Sequence, residues 1–437
     1  MRRTPSPTRR SIRAIIAAQS FGAITIQVLV NGGVLALLLI ELGGSKTAVG
    51  AGFMANFLAQ AARVISGRYV DVSDRKAMVV RWWLASSVVS ATLLFPLFLV
   101  ERIPETAAVW WVVGTFFVQQ VALNIGGAAW HPWLGDIIPG RLQGRFFGNM
   151  RRVFQTSSLI VITAAGWYLG DDPTASRFIV VFALLIIGGF LRPLILLRVQ
   201  RLPPTRGGPP ERMLESLRRP LGDIEFRWFL LFWGANAFLV NVTRPFGVPF
   251  LRNDLLFPGS ITIYASALLV LGMVVSLRPW GRTADRLGNR FVFLVNTVIM
   301  TSAFLLLAAV PGYPAAGWLA VLVAALSFLL TGVGLAGMGI AQIVRLMHAA
   351  PSDHRGPYMG LFFVTNGLVS AAASSLAGFV LDGLPKEIVL FGHTVLPIRI
   401  YFMVMAFALL FTAPMIRRLS RVRERGLREA LSRIGGE

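Results

Sequence analysis

Residues 281–290 read GRTADRLGNR, three arginines and one aspartate set between two long apolar runs. To the left stands SITIYASALLVLGMVVSLRPW (260–280) and to the right FVFLVNTVIMTSAFLLLAAV (291–310). Each run is long enough to cross a bilayer as a helix. The charged decapeptide therefore reads as a short loop at a membrane surface, where the chain turns and goes back.

The same alternation of apolar run and charged break recurs along all 437 residues. Only 14% of the residues are charged and the mean hydropathy is +0.67, whereas soluble domains carry about 25% charged residues. Twelve spans are predicted, near 14–40, 47–67, 79–100, 107–130, 153–170 and 177–197, then 228–250, 260–280, 291–311, 316–343, 358–381 and 397–416. This is the pattern of an all-α membrane protein. No small-residue cleavage site follows a short apolar region at the N-terminus, so the first span is expected to be retained.

The opening decapeptide has an echo. GRYVDVSDRK (67–76), after span two, aligns with it at an offset of 214 and shares G-R-x-x-D and a basic end. A second pair, PGRLQGRFFG (139–148) after span four and PSDHRGPYMG (351–360) after span ten, shares P-x4-G-x3-G at an offset of 212. Two motif pairs at nearly one offset imply a duplicated six-span unit, and an even number of spans makes the repeat parallel. The expected organisation is a six-helix bundle over 1–197, a linker over 198–227, a second six-helix bundle over 228–416 and a basic tail over 417–437. In transporters built this way the substrate site lies near the midplane, between the repeats.

Topology and motif together resemble the major facilitator superfamily, whose loop after spans two and eight reads roughly G-x-x-x-D-R-x-G-R-R/K. The second copy matches at Gly281, Asp285, Arg286, Gly288 and Arg290, with Asn289 in a usually basic place. The first keeps Gly67, Asp71, Arg75 and Lys76 but has Val72 for arginine and Asp74 for glycine. The resemblance implies a cytoplasmic latch formed by these residues, and a cavity lined by spans one, four, seven and ten. The glycines are expected to let helices approach closely, and the aspartates to pair with arginine or cap a helix. The superfamily's usual arginine on span four is missing from VQQVALNIGGAAW, and span five lacks the Gly-Pro pattern of drug/proton exchangers.

Basic residues set the orientation. Of the 42 lysines and arginines, 34 fall on the side of both tails. Six (Lys46, Arg102, Arg177, Arg252, Lys386, Arg399) fall opposite, and Arg63 and Arg244 lie within spans. Both termini are thus expected in the cytoplasm, in a multi-pass protein of the cell inner (plasma) membrane. The charge attracts anionic lipid headgroups. It is scattered over short segments, which argues against nucleic-acid binding.

All twenty carboxylates fall in loops, tails or span ends, so the mid-membrane acid typical of a proton relay is missing. Amide pairs at i,i+4 occur instead: Gln27 and Asn31 on span one, Asn56 and Gln60 on span two, Gln120 and Asn124 on span four. Span seven carries Asn236, Asn241 and Arg244, with Pro245 and Pro249 predicting a kink in its outer half. Gln27, Asn31, Gln120, Asn124, Asn236, Asn241 and Arg244 are the candidate substrate residues, suited to a small neutral or anionic organic solute. Inter-helix hydrogen bonding is the alternative use for the amides, and snorkelling to the headgroups the alternative for Arg244. Trp130, Trp133, Trp233 and Trp280 are expected to pack or sit at an interface. The small-residue runs 126–129, 332–339 and 371–378 are read as close helix packing.

No cysteine, metal-ligand cluster or nucleotide-binding glycine loop is present. Cofactors, a metal, direct ATP drive and enzymatic activity are therefore not expected. The expected protein is a monomeric secondary active or facilitative transporter working by alternating access; the alternative is a non-transporting membrane sensor or assembly protein on the same fold.

Overall fold

A computed structural model describes residues 7–30, 33–67, 69–70, 73–99, 102–138, 140–200, 220–349, 355–385, 387–390 and 393–419. Most of the linker and the basic tail beyond Leu419 lie outside the described residues, as do Asn31 and Asp71. Among the described residues, nine helices are long and apolar enough to cross a membrane. The other three predicted spans are helical too: Pro7–Val30 continuing as Val34–Glu41, Gly140–Leu169, and Ile224–Thr243. The architecture is the twelve-helix, six-plus-six arrangement.

The chain divides into two compact units, residues 1–211 with Pro258–Ile263, and Arg212–Phe257 with Tyr264–Glu437. In the first unit the spans are Pro7–Glu41, Lys46–Gly67, Arg75–Phe98, Glu105–Ile137, Gly140–Leu169 and Ala175–Leu196. Its core gathers Ile15, Val79, Trp83, Trp130, Trp133 and Phe146. In the second they are Ile224–Thr243, Gly259–Leu287, Asn289–Ala309, Trp318–Ala349, Arg355–Gly383 and Pro397–Arg417. Its core is richer in phenylalanine, and the rings of Phe229 and Phe362 stack at 5.5 Å and 10°. All four named tryptophans are buried, so they pack inside their units.

The helices depart from prediction where glycine, proline and charge compete. Span one breaks at Gly33, whose φ of +68° suits glycine and few other residues. Span four runs to Ile137, through Pro132, seven residues past its predicted end. Span seven gives up regular α-helix after Thr243, passing through a 3-10 turn at Arg244–Phe246 and a π turn at Phe250–Asp254. The two prolines each remove a backbone donor there. A short antiparallel hairpin, Ile388–Leu390 with His393–Val395, precedes span twelve and was not foreseen.

The opening decapeptide is the clearest correction. Residues 281–287 are the last two turns of span eight, which ends at Leu287. Span nine begins at Asn289, so the loop shrinks to Gly288 at φ +84°. In the first copy a longer turn separates the helices, and Asp74, the residue in the glycine's place, accepts a hydrogen bond from Ala77 N at 3.1 Å. Asp74 is thus an N-cap for span three. Where the turn is tight the sequence uses glycine; where it is roomy it uses a capping carboxylate.

Candidate functional site

On span four, Gln120 and Asn124 are both buried, but they do not pair side chain to side chain. Asn124 Nδ2 donates to the backbone oxygen of Gln120 at 2.9 Å. Gln120 Nε2 and the neighbouring Gln119 Oε1 have no partner among the described residues. Gln119 was not singled out by sequence; it lines a cavity of about 10 Å³ together with Ser90, Leu93 and Phe182. That is room for one water. Of the span-one candidates, Asn31 and the side chain of Gln27 lie outside the described residues.

The second unit organises its amides differently. Asn241 Nδ2 donates to Ala237 O at 2.8 Å and to Ser370 Oγ at 3.1 Å, while Ser374 Oγ donates to Asn241 O. Trp233 Nε1 donates to Asn366 Oδ1 at 2.8 Å. Residues 233 and 241 on span seven thus meet 366, 370 and 374 on span eleven, the last three four residues apart on one face. Part of the run 371–378, expected only to pack, belongs to this polar seam. Asn236 is 2% exposed and its Nδ2 has no partner among the described residues. Arg244 opens the 3-10 turn and is half-buried.

At the repeated motif, Arg75 Nη1 pairs with Asp136 Oδ2 at 2.5 Å. Lys76 Nζ donates to Leu197 O at 2.7 Å and Val199 O at 2.5 Å, at the C-terminus of span six. Its counterpart Arg290 donates through Nη2 to Arg417 O at 3.3 Å, at the C-terminus of span twelve. Cations at helix C-termini meet carbonyls that have no helical donor, so the duplication is visible in chemistry as well as in sequence. Asp285 and Arg286 are exposed. A methyl group at Gly67 or Gly281 would meet nothing within 4 Å. The expected close approach is therefore absent at both glycines.

A family model described as Major Facilitator Superfamily matches residues 15–374 and 234–434. The chain belongs to the Major Facilitator Superfamily. Superfamily members of known structure share the fold: nucleoside transporter NupG covers 95% of this chain and 99% of its own at TM-score 0.67 and 14% identity. A D-xylose-proton symporter covers 93% and 97% at TM-score 0.67 and 15% identity. A curated relative, dipeptide and tripeptide permease A of Klebsiella pneumoniae (strain 342), is 26% identical over 169 residues. That match spans 35% of this chain and about a third (32%) of the permease. Membership makes the chain a multi-pass secondary transporter.

Three further arginines, given no role by sequence, lie inside the helices. Arg192, counted among the cytoplasmic charges, lies inside span six and is 5% exposed. Its Nη2 donates to Gln19 Oε1 at 2.8 Å, and its guanidinium lies 3.5 Å from the Trp83 ring centre and 5.8 Å from that of Trp130. Arg345, also 2% exposed, pairs through Nη2 with Glu225 Oε1 at 2.6 Å. Arg63 of span two lies against Gly127 of span four: a Cβ on that glycine would stand 2.8 Å from its Nη2. The glycine pair read as helix packing in fact admits side chains, Trp83 at Gly126 and Arg63 at Gly127. Arg192 sits so near its helix end that hydropathy treats it as a loop residue; Arg63 carried a usable signal, sharing a face with Asn56 and Gln60.

Proposed function

We propose that this transporter moves a small neutral or anionic organic solute by alternating access, using Gln27, Asn31, Gln120, Asn124, Asn236, Asn241 and Arg244 as substrate contacts. One observation carries the reading. Every described carboxylate lies at or near a helix end or in a turn, while amides and arginines occupy span interiors. Such a lining donates hydrogen bonds and favours solutes rich in acceptors. The names of the similar proteins, covering nucleoside, D-xylose and short peptides, point to polar organic solutes of that kind. Gly67, Asp71, Arg75, Lys76, Gly281, Asp285, Arg286, Gly288 and Arg290 serve as the cytoplasmic gating motif. The protein works as a monomer in the inner membrane with both termini cytoplasmic, where its basic segments meet anionic headgroups, and it needs neither ATP nor nucleic acid.

The test is a thermal-shift screen of purified protein, followed by liposome uptake of the stabilising solute with and without a proton gradient. Saturable uptake that weakens in Arg244→Ala is expected. Uptake in Arg244→Ala equal to wild type for every solute would remove the anion role of Arg244, and uptake driven only by a proton gradient would count against carboxylate-free coupling.

A further inference from the structure

Of Arg63, Arg192 and Arg345, one has an open face. Arg192 is covered by two indoles and an amide, and Arg345 is held by a carboxylate. Arg63 is exposed, with neither a hydrogen bond nor an ion pair to a described residue. An ionisable residue inside a span is costly, and one with no hydrogen-bond or ion-pair partner among the described residues calls for a function.

Its side chain does not simply follow its own helix to the surface. Arg63 is four residues from the end of its helix at Gly67, within reach of the surface. Its guanidinium nevertheless lies across on span four at Gly127, ten residues inside the end of that helix at Ile137. Span four projects past its apolar stretch, which ends near residue 130, so the guanidinium sits about three residues, roughly 5 Å, inside that stretch. Gly127 makes this possible, because a side chain there would occupy the place of the guanidinium. The surroundings are polar on both helices: Asn56, Gln60 and Arg63 follow at i, i+4 and i+7, and Gln120, Asn124, Gly127 and His131 at i, i+4, i+7 and i+11. His131 is exposed and within electrostatic range of Arg63. No carboxylate belongs to either set.

We propose that Arg63, seated on Gly127, is an oxyanion-binding subsite of the first unit, and that the solute carried is a small organic acid with a carboxylate, phosphate or sulfonate group. A guanidinium offers planar, paired donors that match such groups. The identification of the ligand as cargo rests on the transporter reading; the anion subsite itself does not.

The chain has no cysteine, so Gln60→Cys places a single thiol one helical turn from Arg63. The purified protein, in neutral maltoside detergent, is treated with 2-sulfonatoethyl methanethiosulfonate, a small organic anion, and with its trimethylammonium counterpart. The sulfonate should label faster, by about tenfold after correction for intrinsic reactivity, as expected for local charge attraction. Arg63→Gln should abolish that preference and Arg63→Lys should keep most of it. Absence of labelling by either reagent, or a preference indifferent to Arg63, overturns the proposal; unfolded Arg63→Gln leaves the wild-type and lysine backgrounds to decide. Repeating the measurement with added phosphatidylglycerol separates sources of oxyanion. A preference that survives supports a soluble acid, and one that vanishes assigns the subsite to a lipid phosphate instead. Anion-selective labelling in a protein that moves no solute would sink the transporter reading while leaving the subsite standing.

Discussion

The two units share one six-span pattern, yet they hold their intramembrane arginines, and some of their glycines, differently. In the second unit Arg345 is paired with Glu225, and two glycines bring backbones together: a Cβ at Gly332 would lie 1.9 Å from Leu269 O, and one at Gly272 2.3 Å from Leu329 O, while Gly334 and Gly337 make room for the side chains of Met300 and Asn296. In the first unit Arg63 and Arg192 have no carboxylate partner among the described residues, and Gly22, Gly126 and Gly127 make room for arginine and tryptophan side chains. The shared topology fixes where helices run. What fills the gaps between them is free to diverge: the first unit covers Arg192 with aromatic rings, and the second pairs Arg345 with a carboxylate.

Breaking the pair in the second unit should have the largest effect. Glu225→Ala removes the carboxylate paired with Arg345, whose side chain is only 3% exposed. Losing one partner of a buried pair costs about 3–5 kcal/mol; because Glu225 is itself 37% exposed, the loss should fall at or below about 3 kcal/mol. Chemical unfolding in detergent measures it, and the double variant Glu225→Leu/Arg345→Met should recover most of the stability. A harmless Glu225→Ala would erase the contrast between the units.

Gly332→Ala tests the glycine half of the comparison. The methyl would strike a backbone oxygen, which cannot swing away as a side chain can, so spans eight and ten must separate. Overpacking of this kind costs about 1–3 kcal/mol, and the upper part of that range is expected as a lowered unfolding midpoint.

Gln19→Ala removes the single hydrogen-bond acceptor of Arg192 and should cost about 1.5–3 kcal/mol, the range for bonds to a charged group. Arg192→Met should cost less than Gln19→Ala, since an apolar side chain of similar length needs no acceptor. If Arg192→Met proves the worse of the two, the stacking on Trp83 and Trp130 holds the bundle together more than its cost implies.

The overall fold was legible because hydropathy and charge alternate at the scale of a bilayer, and because the decapeptide at 281–290 repeats. The ends of spans were less so. Nothing in GRTADRL distinguishes a loop from a helix that projects past the membrane; only Gly288, with φ +84°, fixes the turn. Residue types on polar faces were readable, but their partners were not. Asn241 meets Ser370 across 129 positions of sequence, and hydropathy assigns no neighbour to a helix face. Arg63 shared a face with two amides, and what the sequence could not reveal was that Gly127 lies beneath it.

The smallest stability change is expected at that glycine, and its neighbour supplies the control. Gly126→Ala would place a methyl 2.7 Å from Trp83 Cδ1, against an indole fixed by its hydrogen bond to Leu123 O at 3.2 Å. A rigid obstacle of that kind should cost about 1–3 kcal/mol. Gly127→Ala would place one 2.8 Å from Arg63 Nη2, the far end of a flexible side chain that can move aside. The gain in helix propensity, about 1 kcal/mol from glycine to alanine, should offset the displacement, leaving the unfolding midpoint nearly unchanged. The guanidinium, however, would be lifted from its seat, and the preference of Gln60→Cys for the sulfonate reagent should fall severalfold. Adjacent glycines would then separate structure from recognition: one substitution lowers stability and spares the anion preference, and the other does the reverse. If Gly127→Ala leaves that preference intact, the seat on span four has no part in recognising the anion.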